Sequence, residues 1–251
     1  MRKIQNQMER LILSRAKEID GGYHVGHPIV IDGLTNPSLY QKAPVKIMFV
    51  GKESYSTEDD KEEILYHTKY LNDTDPYILD RKDYPAHWTI SKIVSGIYHN
   101  WLFRNPKYDE IWGSEYKKDY SQILQKFESI AWVNIGKYPA PGGSRTTPAR
   151  LDEVYEQWKD VLYTQIEAYD PDIIIFGGTF GPIENDVECE YTQGLKYLFK
   201  EGVLRAFNDA QDRLVIATYH PSQYRISKEQ YVNSIIHACR RADFKNKKIG
   251  E

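Results

Sequence analysis

Short apolar runs alternate with longer segments of helical periodicity along most of the chain. The apolar runs are rich in Val, Ile and Phe and cover residues 45–50, 130–134, 172–176 and 214–218. Runs of this length and composition are typical of strands that are buried on both faces of an α/β sheet. The segments between and around them repeat apolar residues at helical spacing, over residues 3–18, 89–103, 114–127, 151–169 and 228–241.

This alternation predicts a three-layer α/β/α fold around a central, mainly parallel four-stranded sheet. A chain of 251 residues fits one large α/β domain better than two small ones, and the sequence has no internal repeat or linker. We therefore expect a single domain over residues 1–251, with residues 1–44 as an N-terminal helical extension and residues 242–251 as a basic tail. Residues 61–70 have the pattern of a polar, exposed helix.

Composition and charge narrow the classes of partner. The chain is 41% hydrophobic and 27% charged, which is typical of a soluble globular protein. Its formal net charge of −3 excludes a global basic field, so a nucleic-acid partner must be met by a local basic patch. The 20 Tyr, 8 Phe and 5 Trp fit either core filling and amphipathic surfaces or base stacking in a nucleic-acid groove.

Signals for targeting, disulfides and metals are weak. Cys189 and Cys239 are too few for a disulfide scaffold or a four-cysteine cluster. The sequence has no signal peptide and no long apolar run, so we expect a soluble cytoplasmic protein without a membrane partner. His24 and His27 stand three residues apart but lack the further ligands that a metal site needs. No metal ion and no cofactor is expected, and the sequence does not indicate an oligomeric state.

Polar residues follow three of the four predicted strands. Glu53 comes after the first strand, Asn134 ends the second and His220 follows the fourth. The carboxyl ends of parallel strands meet at one edge of a sheet, so we expect the three side chains to line one pocket within roughly 10 Å of one another. A carboxylate can stabilise a cation, an amide can read a base edge, and a histidine can donate to an oxygen that gains charge. Each residue also has a structural explanation, as an acidic loop, a turn former or a packed histidine.

Two short motifs at these strand ends give the sequence a family resemblance. The chain carries GKESY at residues 51–55 and TYHPS at residues 218–222. A further string runs from Asn134 through a Pro-rich loop to a helix that ends in Gln-Ile, then to a strand and a glycine. In this combination the chain resembles the uracil-DNA glycosylase superfamily over about residues 45–238, which implies the fold of that superfamily.

The resemblance implies a role for each motif residue. Glu53 falls at the family's catalytic aspartate, Tyr55 at the tyrosine that excludes thymine, and Asn134 at the asparagine that reads the uracil edge. His220 falls at the histidine that donates to uracil O2. Gly51 and Trp88 join the substrate site, Trp88 as the stacking aromatic, although an aromatic at a helix start is also often a packing residue. The DNA contacts are implied at Gly142, Gly143, Ser144, Arg145, Ser222, Tyr224 and Arg225, with Tyr224 where relatives place a wedge.

The sequence also departs from the family pattern. Ser54 replaces the motif's proline, and Tyr138 and Trp158 stand near where one branch places two iron–sulfur cysteines. No cluster is therefore expected.

The implied activity is base-excision DNA repair. The base would be flipped out of the DNA, and the N-glycosidic bond of uracil or another deaminated base would be hydrolysed. One alternative is a non-catalytic nucleic-acid-binding or regulatory protein on the same fold. Another is a serine hydrolase that uses Ser54 and His220, but the Gly-x-Ser-x-Gly elbow of such enzymes is absent from the sequence.

Overall fold

The protein has nine described strands and seven described helices in alternation. The computed structural model describes residues 1–21, 28–53, 63–66, 85–103, 126–139 and 146–242. Within these ranges the strands are β1 (Ile29–Ile31), β2 (Gly33–Leu34), β3 (Ile47–Gly51), β4 (Ile64–Tyr66), β5 (Ala131–Asn134), β6 (Ile173–Gly177), β7 (Lys196–Glu201), β8 (Leu204–Asn208) and β9 (Leu214–Thr218). The helices are α1 (Arg2–Asp20), α2 (Pro37–Lys42), α3 (Pro85–Phe103), α4 (Pro148–Tyr169), α5 (Phe180–Asn185), α6 (Glu190–Gln193) and α7 (Lys228–Arg241).

A seven-stranded sheet organises the fold, in the order β2-β5-β3-β6-β9-β8-β7. Its four central strands, β5, β3, β6 and β9, are parallel to one another and are the four strands that the sequence predicts. β2 and β8 add antiparallel strands at the two flanks, and β7 extends the sheet beyond β8. The α/β class is confirmed, whereas the four-stranded sheet is corrected to a mixed sheet of seven strands.

The three additional strands carry weaker patterns than the central ones. β2 has only two residues, and β7 has the sequence KYLFKE, with charges at both ends and exposed side chains along most of its length. An edge strand of this composition is solvated on one side, so it lacks the continuous apolar run that marks a buried strand. Gly202, at a φ of 58°, makes the tight turn that returns the chain from β7 to β8.

Helices cover both faces of the sheet. Met48 and Val50 of β3 point into a core that includes residues of α1 and α4. Ile47 and Phe49 of the same strand point into a second core, with residues of α3 and α7. Alternate side chains of one strand are therefore buried on opposite faces, which explains why the central strands are apolar throughout.

Local capping defines the ends of two long helices. Thr147 accepts a hydrogen bond from the Arg150 backbone N–H, and Pro148 occupies the first turn of α4. Ser227 and Gln230 form a capping box at the start of α7. The helices predicted over residues 3–18, 89–103, 151–169 and 228–241 are confirmed to within a few residues. Most of the helix predicted over residues 114–127 lies outside the described residues.

The first 44 residues contribute strands as well as helices. α1 packs against α4, and β2 pairs with β5 at the edge of the large sheet. β1 forms a separate parallel pair with β4, in the register Val30 to Leu65. The helix predicted over residues 61–70 is therefore wrong at Ile64–Tyr66, because this short β-prone triplet buries Leu65 beside β1. The predicted basic tail lies outside the described residues, apart from residue 242.

Candidate functional site

The candidate site is built at the carboxyl edge of the parallel strands. In the sheet register Gly51 lies beside Asn134, and Gly177 lies beside Thr218. Glu53 follows the end of β3 by two residues, and His220 follows the end of β9 by two residues. The three residues predicted from the strand ends therefore leave the sheet at the same edge. Their approach to within about 10 Å stays a prediction.

The side chain of Asn134 lies across the end of β3. It is buried, and its Oδ1 accepts a long hydrogen bond of 3.4 Å from Trp132 Nε1. A Cβ atom added to Gly51 would stand 2.5 Å from Asn134 Oδ1, so the glycine provides the space that the amide occupies. Trp132 is itself held edge-on against Phe127 and Phe49. Packing thus determines where the Asn134 amide lies.

Glu53 is half-buried beside the loop that leaves β5. The Ile135 and Gly136 backbone N–H groups donate to the carbonyls of Gly51 and Lys52 at 2.9 and 2.8 Å, which extends the pairing of β5 with β3 past the strand ends. Burial raises the pKa of the Glu53 carboxyl, and the positive charges of Arg150 and Lys52 oppose that rise. The result is a partly desolvated carboxylate with cations close by.

His220 is a neutral imidazole whose tautomer follows from its hydrogen bond. Burial, with the nearby Lys52 ammonium, lowers the pKa of His220 to about 4. Its Nδ1 accepts the Ser222 backbone N–H at 3.2 Å, so the ring proton is assigned to Nε2. Gly178, at a φ of 74°, packs against the backbone of His220. A Cβ atom added to Gly178 would lie 3.2 Å from the His220 backbone nitrogen. His220 is therefore a hydrogen-bond donor through Nε2 at neutral pH.

The charge of Lys52 influences both Glu53 and His220. Its charge lowers the pKa of His220 and also opposes the raised pKa of Glu53, so one ammonium interacts with both side chains. Its Nζ makes a long hydrogen bond of 3.5 Å to the Thr146 carbonyl, close to the start of α4. Sequence reasoning assigned no role to Lys52, although its place next to Glu53 is a signal for this one.

A buried ion pair lies behind Asn134. Lys137 Nζ donates to both carboxylate oxygens of Asp32 at 2.8 and 2.9 Å, to the Asn134 carbonyl at 2.6 Å and to Gln165 Oε1 at 2.9 Å. Gln165 Nε2 and the Asn134 backbone N–H complete the set of donors to Asp32. Sequence reasoning missed Asp32, whose one available signal is a carboxylate within the otherwise apolar segment IVIDGL.

The loop after β9 exposes an aromatic and a basic side chain. Tyr224 is 84% exposed, and the Arg225 guanidinium lies 5.1 Å from the centre of the Tyr219 ring. Gln223 Oε1 accepts the backbone N–H groups of Arg225 and Ile226, which folds the loop onto itself. Ser222, Tyr224 and Arg225, three of the predicted DNA contacts, thus share one loop beside His220.

Several predicted site residues cannot be placed. Tyr55 and the segment with Gly142, Gly143, Ser144 and Arg145 lie outside the described residues, and so do His24 and His27. Trp88 belongs to the first turns of α3, but its side chain is outside the described part.

The part of the chain that the structure describes offers no cluster of metal ligands and no membrane-spanning helix. Across these residues, no group of three or more His, Cys, Asp or Glu side chains could hold a metal ion. None of the helices described is long and apolar enough to cross a membrane. Comparison with protein-family models and with curated proteins finds no match to this chain.

Proposed function

We propose that the protein is a DNA glycosylase that hydrolyses the N-glycosidic bond of uracil or another deaminated base. The observation that carries the proposal is a neutral, Nε2-protonated His220 at the same sheet edge as the Asn134 amide and the half-buried Glu53. This set of groups suits a reaction in which a base leaves as an anion and a sugar becomes a cation.

Each side chain has a distinct task in the proposed reaction. Asn134 hydrogen-bonds the polar edge of a base that has been flipped out of the DNA. His220 donates from Nε2 to the base oxygen that gains negative charge as the bond breaks. Glu53 stabilises the cationic sugar and orients the attacking water, and the Lys52 ammonium adds positive charge near His220 and so favours the departing anion.

Tyr138 and Trp158, which depart from the iron–sulfur branch, pack against each other. These residues stand near where the iron–sulfur branch has two cysteines, and their rings lie edge-to-face with centroids 5.8 Å apart. Two positions that would serve one cluster are thus neighbours here, occupied by an aromatic pair.

The exposed Tyr224 and the adjacent Arg225 supply an aromatic and a basic contact for DNA next to His220.

A single-turnover assay with enzyme in excess tests the proposal. Oligonucleotides that carry uracil, hypoxanthine or xanthine are incubated with wild type, and release of the base is measured. We expect uracil release, and about 100- to 1000-fold slower release by His220→Ala and by Glu53→Gln, since one electrostatic group at a transition state typically contributes that much. The control is His237→Ala, a half-exposed histidine on α7, which should retain the wild-type rate.

Two results would contradict the proposal in different ways. If Glu53→Gln released uracil at the wild-type rate, the assigned mechanism would be wrong although the activity would stand. If wild type released no base from any of the three substrates, the activity itself would be wrong.

The second candidate is a nucleic-acid-binding protein without catalysis. The cations Lys52 and Arg150 beside Glu53 favour it, because they offset the negative charge that a cationic transition state needs. DNA binding that depends on Tyr224 and Arg225, together with no base release, would support this candidate.

A further inference from the structure

On the side of β5 that faces away from β3, both backbone polar groups of Asn134 bond to the buried ion pair. β2 pairs with β5 at Trp132 and Ala131 but does not reach Asn134. Beyond that point Asp32 Oδ2 accepts the Asn134 N–H at 2.7 Å, and Lys137 Nζ donates to the Asn134 carbonyl at 2.6 Å. Two charged side chains thus take the place of a strand partner at the last residue of β5.

The ion pair is fully enclosed and its hydrogen-bonding capacity is fully used. Lys137 is 0% exposed and Asp32 is 1% exposed. The ammonium donates to Asp32, to the Asn134 carbonyl and to Gln165, which accounts for its three protons. Each carboxylate oxygen of Asp32 accepts from two donors. The charged groups of the pair therefore have hydrogen-bond partners throughout.

Stability alone gives no reason for charges at this place. Desolvation offsets most of the attraction in a buried ion pair, and apolar residues of similar volume often serve stability as well or better. The ion pair differs from a longer β2 strand, which could also bond to Asn134, in the number of elements to which it connects Asn134. Asp32 lies between β1 and β2, and Lys137, which follows β5, bonds to Gln165 of α4. The Asn134 backbone is therefore tied both to the β1–β2 segment and to α4.

We propose that Asp32 and Lys137 are positioning residues that clamp the backbone of Asn134 and thereby set the direction of its side chain in the site. The effect of the clamp on catalysis rests on the proposed function, in which Asn134 hydrogen-bonds the base edge. Gln165 completes the clamp by bonding to both members of the pair. Uncharged replacements should therefore preserve the fold while releasing Asn134.

The test compares three double variants. Asp32→Leu/Lys137→Met removes the clamp and leaves no unpaired buried charge. Asp32→Asn/Lys137→Met keeps an acceptor for the Asn134 N–H and should rescue part of the effect. Asp209→Asn/Arg213→Met neutralises another buried ion pair, at the amino end of β9 and away from the site, and is the matched control. Melting temperatures identify the variants that fold.

Two measurements report on position rather than on folding. Amide hydrogen exchange at residue 134 should accelerate most in Asp32→Leu/Lys137→Met, less in the Asn variant that keeps an acceptor, and stay at the wild-type rate in the control. The maximal single-turnover rate of uracil release should fall about 100-fold in Asp32→Leu/Lys137→Met and less in the Asn variant, since a displacement of about 1 Å can cost that much. DNA affinity should be unchanged.

The exchange measurement separates failure of the clamp from failure of the proposed function. If wild type releases no base, faster exchange at residue 134 in the folded clamp variants still supports the clamp. Wild-type exchange at residue 134 in folded Asp32→Leu/Lys137→Met overturns it. An equal loss of rate in the Asp209→Asn/Arg213→Met control also overturns it, because the effect would then be that of any lost buried ion pair.

Discussion

Asn134 is held by residues far away in the sequence, whereas His220 is held by its immediate neighbours. The partners of Asn134 include Asp32, 102 residues earlier, and the ion pair that Asp32 forms with Lys137. The His220 imidazole accepts the Ser222 N–H, and the His220 backbone carbonyl accepts the Gln223 N–H at 2.9 Å. The first end of the site is therefore sensitive to tertiary structure, and the second depends on the local path of one loop.

The largest effect is expected when only one member of the Asp32–Lys137 ion pair is replaced. Lys137→Met leaves the Asp32 carboxylate buried without its counter-ion, and we expect a loss of about 3–5 kcal/mol in the free energy of unfolding. Urea unfolding measures it. The matched control is Lys46→Met, which breaks a partly exposed pair with Asp170 at 3.8 Å and should cost less than about 1 kcal/mol. Equal losses in the two variants would contradict a special role for the buried pair.

Crowding the Asn134 amide should affect activity more than folding. Gly51→Ala places a methyl group 2.5 Å from the present position of Asn134 Oδ1, so the amide must move. We expect about a 100-fold slower single-turnover release of uracil, the effect of a misplacement of about 1 Å. Gly181→Ala is the control, because an added Cβ there meets no atom within 4 Å. A wild-type rate for Gly51→Ala would show that the position of the amide is unimportant.

The contact between Gly178 and His220 should give a smaller effect. Gly178→Ala introduces a side chain at a φ of 74° and should lower the free energy of unfolding by about 1–2 kcal/mol. Gly202→Ala carries the same kind of backbone strain at a φ of 58°, with open space around it, so the pair isolates the contact with His220. Thermal melting compares their stabilities, and only Gly178→Ala should also slow base release. Equal rates in the two variants would exclude an effect through His220.

The pH dependence of stability should show the smallest effect when the change is taken per pH unit. The pKa of folded His220 is about 4 against an ordinary 6.5, so between these values the unfolded chain binds a proton that the folded chain does not. The free energy of unfolding therefore gains a contribution that increases with pH across this window, by up to about 1 kcal/mol per pH unit, and levels off above it. The raised pKa of Glu53 acts in the opposite direction, because the folded carboxyl holds its proton more tightly.

A histidine variant separates the two contributions. Urea unfolding of His220→Asn between pH 4 and 6.5 should show a smaller rise of stability with pH than wild type. An unchanged profile in His220→Asn would show that His220 is protonated in the folded protein over this range.

The difference between the two ends also explains what the sequence can predict. The four central strands were predictable because burial on both faces makes each of them continuously apolar. His220 was predictable because its motif and its structural support lie within a few residues. The proposed role of Asp32 was not predictable. Its carboxylate bonds to the last residue of β5 without belonging to a paired strand, so it leaves no periodic pattern in the sequence. β7 was missed for a related reason, since it has charges at both ends and exposed side chains along most of its length.

Titration of the isotopically labelled protein with free uracil, followed by NMR, tests most directly whether Asn134 and His220 form one base-binding site. The proposal predicts that the Asn134 side-chain amide and the His220 Nε2–H resonances shift together along one binding curve. Thymine at the same concentrations should shift neither, because the resemblance places a thymine-excluding tyrosine at Tyr55. A uracil titration that shifts neither resonance, or only one of the two, would contradict a shared site.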